Sequence, residues 1–468
     1  MSSGICCLQK KSGKHPDLTL NKIKMSDRFY DVHYHLFDLS HPNLLAFVLR
    51  DDLIDTKTTR KILGSFPFVL KILPLWIVNL FPGKVTRKVK EYIRDDAKNL
   101  RNLLSVMEGA IEYHFLYTEY FLLRDKKHFG TFPGARYRKL AVCPLLMDFG
   151  YKNLGLDDCF YNLPPAKPII NQVVDLLNAV WFYFNFDLIP HPDKLGRLKL
   201  IPAVTPPDNK LFEIYPFLGL NPRNYDLTEI AELFDKYFRD YERDDQPDKR
   251  RAKILRKMGK VRADLEDMIT RNREKEDADY YSYIFAGIKL YPPLGFDPWP
   301  DDSKELEKVR FLYSECVRKR IPLTVHCSGR GYITSPKASE FTDPSNRWKK
   351  VLARAEYRDL KINFAHLGTQ FDGRDDWQKT IMSCIRENGN VYTDCSCQTT
   401  DKDDYRKVAR IMDSQTEANI LFGADYLINL IWSGSYNEYL DNFLTTPHLS
   451  EKQKELMCEI NPEKFLFG

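Results

Sequence analysis

Five short apolar runs in the second half of the sequence decide the fold. They are FAGIKLY (285–291), IPLTVH (321–326), KINFAH (361–366), NVYTD (390–394) and NILFGAD (419–425). Apolar residues at helical spacing lie between the runs, for example Leu306, Val309 and Leu312 before the second one. Strands and helices therefore alternate with a repeat of roughly 30–60 residues, which predicts parallel strands joined by crossover helices and a fold of the α/β class.

These runs carry side chains that can bind a metal ion or a proton. The residues concerned are Lys289, His326, His366, Asp394 and Asp425. In a closed (β/α)8 barrel the carboxyl ends of all strands meet at one face, so such residues would share one pocket. A doubly wound open sheet would also alternate strands with helices, but it would bring residues from the strand ends together less well. In addition, no GxGxxG motif follows a strand. We therefore expect a (β/α)8 TIM-like barrel with large helical insertions.

An earlier run, FYDVHYHLF at residues 29–37, places His33 and His35 two positions apart. Side chains at i and i+2 of a strand point to the same side, so both imidazoles can contact one divalent ion. With His326, His366 and Asp425 they supply nitrogen and oxygen ligands suited to zinc, with a position left for water. Each of these residues alone is more often a hydrogen-bonded residue of the core or of a loop, so the prediction depends on the complete set.

The same segments resemble the amidohydrolase superfamily, and most closely its branch called amidohydrolase family 2. The resemblance is carried by DVHYHLF, FAGIKLYPPLGFDP, PLTVHCS, INFAHLG and LFGADY in this order, followed by NPEKFLF. These motifs extend from residue 31 to residue 467. The resemblance implies a distorted (β/α)8 barrel that holds one or two divalent ions at the strand ends, with zinc as the expected metal.

The resemblance also implies roles for particular residues. It places metal ligands at His33, His35, His326 and Asp425. Asp425 would also accept a proton from the metal-activated water and deliver it to the leaving group. His366 would be catalytic in a single-metal enzyme, and a ligand of the second ion in a two-metal enzyme. Lys289 stands where two-metal members carry a carboxylated lysine. We expect one metal. Lys289 would be a ligand only if it were carboxylated, as in the two-metal arrangement.

Two further residues are predicted to bind substrate. Arg330, in HCSGRGY after the fifth strand, could bind a carboxylate or phosphate group. Tyr291 lies two positions after Lys289, where it could face the same pocket. Asp394 is expected to have a structural hydrogen-bonding role, and Cys395 and Cys397 are expected to be buried strand thiols.

Three functions are compatible with these residues. The leading hypothesis is hydrolysis of an amide, lactone or ester bond of a small molecule by a metal-activated water. Non-oxidative decarboxylation of a small carboxylic acid uses the same ligand set in relatives of aminocarboxymuconate-semialdehyde decarboxylase, and an arginine beside the metal would favour it. The third is a catalytically inactive barrel that serves as a scaffold, which a missing ligand would indicate. None of the five expected positions is substituted.

Composition limits the class of protein and of partner. The chain has 468 residues, of which 43% are hydrophobic and 29% charged, and this excludes a wholly disordered chain. The net charge of +5 is too small on so long a chain to predict nucleic-acid binding. Ten cysteines without zinc-finger spacing favour reduced thiols and a cytoplasmic location.

The chain is predicted to consist of a flexible extension, residues 1–27, and one barrel over residues 28–468. Segments 51–130 and 207–280 match no motif and are expected to be insertions that shape the substrate pocket. In the second, residues 239–277 are charge-dense and nearly neutral, which predicts a solvated helical segment. In the first, FPFVLKILPLWIVNLFPG (66–83) is as long as a membrane span but is interrupted by Pro74 and Lys71. A buried or lid-forming helical hairpin is favoured there over membrane contact or a surface for a homo-oligomer.

Overall fold

A computed structural model describes residues 26–38, 106–107, 109–149, 167–243, 246–266, 281–333, 335–370, 373–399 and 401–468. Nearly all of the expected extension 1–27, the apolar segment 66–83 and most of the expected insertion 51–130 lie outside the described residues. Within the part of the chain that the structure describes, no helix is long and apolar enough to cross a membrane.

The strands lie in two parallel sheets and one hairpin. In chain order they are β1 (Ser26–Tyr34), β2 (Tyr137–Pro144), β3 (Phe186–Pro190), β4 (Leu198–Pro202), β5 (Phe212–Ile214), β6 (Phe217–Gly219), β7 (Gly287–Leu290), β8 (Leu323–Val325), β9 (Ile362–Phe364), β10 (Val391–Asp394) and β11 (Ile420–Leu421). One sheet has the order β1–β2–β5, and the other runs from β6 to β11 in sequence order. The five runs predicted as parallel strands are thus confirmed as β7 to β11.

Backbone hydrogen bonds connect the two sheets at both seams. At the first seam β6 follows β5 closely in the chain, and the Leu146 N–H donates to the Phe217 carbonyl at 3.1 Å. At the second, the Val32 N–H donates to the Phe422 carbonyl at 3.2 Å, and the Asp425 N–H donates to the His33 carbonyl at 2.7 Å. Isolated bridges, not continuous ladders, span these seams. With β5 and β6 counted as one interrupted strand, the described strands follow the eight-position order of a TIM-like barrel.

Helices connect and surround the strands. They are α1 (His114–Arg124), α2 (Ile169–Asn185), α3 (Leu227–Phe238), α4 (Pro247–Ala263), α5 (Ser303–Lys319), α6 (Ala338–Thr342), α7 (Arg347–Leu352), α8 (Asp376–Glu387), α9 (Tyr405–Ile411), α10 (Tyr436–Thr445), α11 (Glu451–Glu455) and α12 (Asn461–Phe467). In α5 the Asp302 side chain caps the first turn by accepting from the N–H groups of Lys304 and Glu305. Its buried face carries Val309 and Leu312, as the helical spacing predicts.

The range 207–280 contributes to the sheets as well as to the helices. β5 and β6 lie in this range and pair with β2 and β7. The charge run that follows includes α4, in which Arg250 is buried and its guanidinium donates to the carbonyls of Glu242, Lys319 and Arg320. The expectation of a solvated segment is therefore wrong at Arg250, because three backbone acceptors compensate the burial of its charge.

Close packing in β6 yields a stability prediction. A Cβ atom at Gly219 would lie 2.5 Å from the Leu146 carbonyl oxygen and 2.7 Å from the Asp148 nitrogen. Because both are backbone atoms, we expect Gly219→Ala to lower the free energy of unfolding by about 1–3 kcal/mol, measured by urea denaturation. Gly259→Ala, at an exposed position of α4 with no described atom within 4 Å of the added Cβ, should leave stability unchanged or raise it. Equal denaturation midpoints for Gly219→Ala and the wild type would contradict the prediction.

Candidate metal centre

Histidine and aspartate side chains from both ends of the chain meet at the carboxyl ends of the strands. His33 is in β1 and His35 directly follows it, His326 follows β8, His366 follows β9, Asp394 ends β10, and Asp425 follows β11. All of them are buried. Because the strands are parallel, their carboxyl ends lie on one side, as the sequence predicted.

His33, His35 and Asp425 form the group best placed to hold an ion. Their ligand atoms all lie within 4.8 Å of one another. Asp425 Oδ1 is 3.0 Å from His35 Nε2 and 3.5 Å from His33 Nε2. Among the described residues, His33 Nε2 and Asp425 Oδ1 are buried without a hydrogen-bond partner. Two imidazole nitrogens and a carboxylate oxygen in this state fit a divalent transition metal with open coordination positions.

Hydrogen bonds on the far side of both rings orient these imidazoles. His33 Nδ1 lies 3.1 Å from Asp394 Oδ2 and 3.1 Å from Ser396 Oγ. His35 Nδ1 lies 3.1 Å from the Leu145 carbonyl oxygen, which can only accept, so Nδ1 carries the proton and Nε2 presents a lone pair. Metal-binding histidines in proteins usually have such an acceptor on the second ring nitrogen.

Asp394 is the centre of the hydrogen-bond network beneath this group. Its carboxylate accepts from the Asn363 side-chain amide at 2.7 Å, from the His366 N–H at 3.1 Å, and from both the N–H and the hydroxyl of Ser396. Burial would raise the pKa of Asp394, but its contacts with His33, His366 and Ser396 outweigh this effect, and the pKa lies well below its usual range. The residue is therefore an ionised acceptor that holds the rings of the site in place.

His326 and His366 form a second pair in the same pocket. His326 Nε2 lies 2.6 Å from the Arg330 carbonyl, which requires a proton on Nε2 and leaves Nδ1 as an acceptor. His366 Nε2 lies 3.2 Å from that Nδ1, and the Ser396 hydroxyl lies 2.8 Å from His366 Nδ1. The structure thus places His326 beside His366, outside the group of atoms that His33, His35 and Asp425 form.

Lys289 reaches the same interior from β7. Its Nζ is buried and has no hydrogen-bond partner within the described part of the chain. Burial lowers its pKa to about 8, although the charges of Asp394 and Asp425 act in the opposite direction. Part of the amine is therefore neutral near neutral pH, which is the form that can react with carbon dioxide.

The protonation states suit metal binding. Burial lowers the pKa of His33 to about 3, with a further contribution from the charge of Lys289, and burial also lowers the pKa of His326 and of His366. Burial opposes ionisation of Asp425, but the neighbouring histidines hold its pKa well below the usual range. Neutral imidazoles and an ionised carboxylate are the forms that coordinate a metal.

A cavity of about 890 Å³, a volume that includes the open solvent at its entrance, leads to these residues. His35, His326, His366 and Asp425 line its floor, and both predicted substrate contacts, Tyr291 and Arg330, line it as well. The Arg330 guanidinium lies over the Trp432 ring, 5.6 Å from its centroid. The Tyr291 hydroxyl accepts from the Tyr332 N–H at 3.0 Å.

Sequence reasoning missed two residues of this network, Ser396 and Asn363, whereas the contacts of Asp394 agree with the structural hydrogen-bonding role expected for it. A signal was present in KINFAH, where Asn363 is a polar residue inside an otherwise apolar strand. A buried polar side chain of that kind needs a partner in the interior, and here the partner is Asp394. Ser396 had no such signal, because a serine after a strand is common in turns.

Residues 252–468 match the family model described as Amidohydrolase. The match covers slightly less than half of the chain and includes Lys289, His326, His366 and Asp425. It confirms the resemblance to the amidohydrolases that the sequence motifs carry. No curated protein matches the sequence.

Several solved structures are similar to this chain at low identity. 4-Oxalomesaconate hydratase from Rhodopseudomonas palustris is 12% identical over 94% of this chain and 95% of that chain, with a TM-score of 0.40. Uronate isomerase from Bacillus halodurans C-125 is 13% identical over 94% of this chain and 91% of that chain, with a TM-score of 0.37. Amidohydrolase 2 from Bifidobacterium longum subsp. infantis is 15% identical with a TM-score of 0.27. That match covers 39% of this chain and 61% of that one, about three fifths of the Bifidobacterium protein.

The Asp394 network predicts a change in metal affinity. Asp394→Asn removes the negative charge beside His33 Nδ1, and loss of such an outer partner typically weakens metal binding by about 10–100-fold. We expect a decrease of this size in zinc affinity, measured by competition with a chromophoric chelator. The control is Asp413→Asn, which removes an exposed carboxylate paired with Arg386. Equal zinc affinity in the two variants would show that Asp394 does not support the metal.

Proposed function

We propose that the protein is a metal-dependent hydrolase that acts on an amide, lactone or ester bond of a small molecule. The observation that carries this proposal is the convergence of His33, His35 and Asp425, of which His35 and Asp425 line a cavity, with His33 Nε2 and Asp425 Oδ1 buried and unpaired among the described residues. The amidohydrolase match over residues 252–468 supports a metal-dependent reaction of this general kind.

Asp425 and His366 have the main roles in the proposed reaction. A divalent ion, which we propose to be zinc, would polarise a substrate carbonyl oxygen and acidify a water molecule. Asp425 accepts the proton of the attacking water at its carboxylate and passes it to the leaving group. His366, whose Nε2 lies 3.2 Å from His326 Nδ1, would stabilise a negatively charged substrate oxygen through a proton on that Nε2.

We propose a single metal with His33, His35, His326 and Asp425 as its ligands. His326 would have to move its Nδ1 away from His366 to join the other three, since it now lies outside their group. Carboxylation of Lys289 would give a second arrangement, in which the amine adds to carbon dioxide, loses a proton and becomes an anionic ligand for a second ion. The lowered pKa of Lys289 supports this arrangement as the alternative.

Decarboxylation is the second candidate, and one observation favours it. Arg330 lines the cavity close to His326, since its own carbonyl accepts from that ring. A guanidinium binds carboxylate groups in a bidentate manner, so the position suits a substrate that carries a carboxylate. In that reaction carbon dioxide would leave, and Asp425 would take a proton from water and deliver it to the carbon that lost the carboxylate.

Metal content tests the proposal directly. We expect the purified protein to contain about one equivalent of zinc by elemental analysis and His33→Ala to lose it, because one of the clustered nitrogen ligands is gone. His448→Ala is the matched control, since His448 lies near the surface and pairs with Asp403. Two equivalents would support a carboxylated Lys289, and a protein that takes up no metal on reconstitution would rule out the proposed chemistry.

Activity of an Asp425 variant tests the proton transfer. With a panel of amides, lactones, esters and small carboxylic acids, we expect hydrolysis products from the wild type and a decrease in kcat of about 100-fold or more in Asp425→Asn. Asp413→Asn, which removes the exposed carboxylate paired with Arg386, again serves as the control. Carbon dioxide release from an acid, lost in Arg330→Gln, would instead establish the decarboxylase, and full activity of Asp425→Asn would exclude Asp425 as the proton carrier.

A further inference from the structure

A thiol enters the candidate metal site from the turn that follows β10. This turn contains Cys395, Ser396 and Cys397. Cys395 is fully buried in the wall, as expected, whereas Cys397 is only half-buried and lines the cavity. The backbone of Cys397 has a φ of 55°, which turns the chain after β10. The expectation of two equivalent buried strand thiols is therefore wrong for Cys397.

The Cys397 thiol contacts the carboxylate of Asp425. Its Sγ donates to Asp425 Oδ2 at 3.0 Å. The other carboxylate oxygen, Oδ1, faces the opposite way, 3.0 Å from His35 Nε2 and 3.5 Å from His33 Nε2. The thiol thus holds Oδ2 and leaves Oδ1 directed at the two imidazole nitrogens.

We propose that Cys397 is a positioning residue that holds Asp425 with Oδ1 directed at His33 and His35. The proposal rests on the proposed function, because it assumes that these three residues bind a metal. Two buried atoms among the described residues support a ligand at that point, since His33 Nε2 and Asp425 Oδ1 have no hydrogen-bond partner. Rotation of the carboxylate would exchange its two oxygens, and a donor on Oδ2 opposes that rotation.

The proposal has consequences that a purely space-filling side chain would not have. A hydroxyl can replace the thiol as donor, whereas a methyl group cannot. Cys397→Ala should therefore bind zinc about tenfold more weakly or worse, and Cys397→Ser should stay within a few-fold of the wild type. The matched control is Cys384→Ala, which removes a half-buried thiol from α8.

Zinc affinity is measured by chelator competition, and cobalt absorption spectra report the coordination geometry. We expect the visible spectrum of cobalt-loaded Cys397→Ala to differ from those of the wild type and of Cys397→Ser. Wild-type affinity and an unchanged spectrum in Cys397→Ala would overturn the proposal. A thiolate-to-cobalt charge-transfer band in the wild type that disappears in Cys397→Ser would also overturn it, because Cys397 would then be a ligand.

A second measurement does not depend on metal. In the metal-free protein, a thiol that donates its proton to a carboxylate is a poor nucleophile, so Asp425→Asn should increase the alkylation rate of Cys397 by iodoacetamide several-fold. Peptide mass spectrometry measures the alkylation of Cys397 and of Cys384 separately. The alkylation rate of Cys384 should not change, so an increase there would indicate that the variant is unfolded. An unchanged Cys397 rate would overturn the thiol–carboxylate contact.

The two measurements separate the failure of this inference from failure of the proposed function. If the wild type binds neither zinc nor cobalt, the metal-dependent function and the positioning role both fail, even where the alkylation result confirms the contact. If the wild type binds zinc but Cys397→Ala binds it equally well, only the positioning role fails.

Discussion

The burial of two ionised carboxylates, Asp394 and Asp425, is the constraint on which the organisation of this site depends. A buried negative charge is costly unless hydrogen bonds or opposite charges compensate it. Around Asp394 the compensation comes from Asn363, Ser396, a backbone N–H and the His33 ring. Around Asp425 the Cys397 thiol donates to Oδ2, and Oδ1, which faces the nitrogens of His33 and His35, is left for a cation.

The seam between the first and the last strand supplies the geometry. The Asp425 N–H donates to the His33 carbonyl at 2.7 Å, and the His35 N–H donates to the Tyr426 carbonyl at 2.5 Å. These bonds fix the register between the two segments, and this register brings the ligand atoms of His33, His35 and Asp425 together. Asp425, four residues after the end of β11, has a φ of 57° in the left-handed region, and its side chain is buried.

The sequence was sufficient to predict the strand order and most of the residues at the pocket floor. Alternation of apolar runs and helical stripes fixes parallel strands, and parallel strands bring His326, His366 and Asp425 to one end. The partners of these residues could not be predicted, because contacts such as His33 with Asp394 depend on register and on rotamers. The same limit explains why Arg250 was expected to be solvated, since its three acceptors come from backbone carbonyls that no pattern of side chains reveals.

The seam also sets an order of events during synthesis. His33 and His35 leave the ribosome well before Asp425 and the strand that precedes it. A nascent chain that ends before this strand lacks the second neighbour of β1 and the Asp425 side chain of the candidate centre. The three candidate ligands can therefore meet only after the segment from β11 to Asp425 has been made.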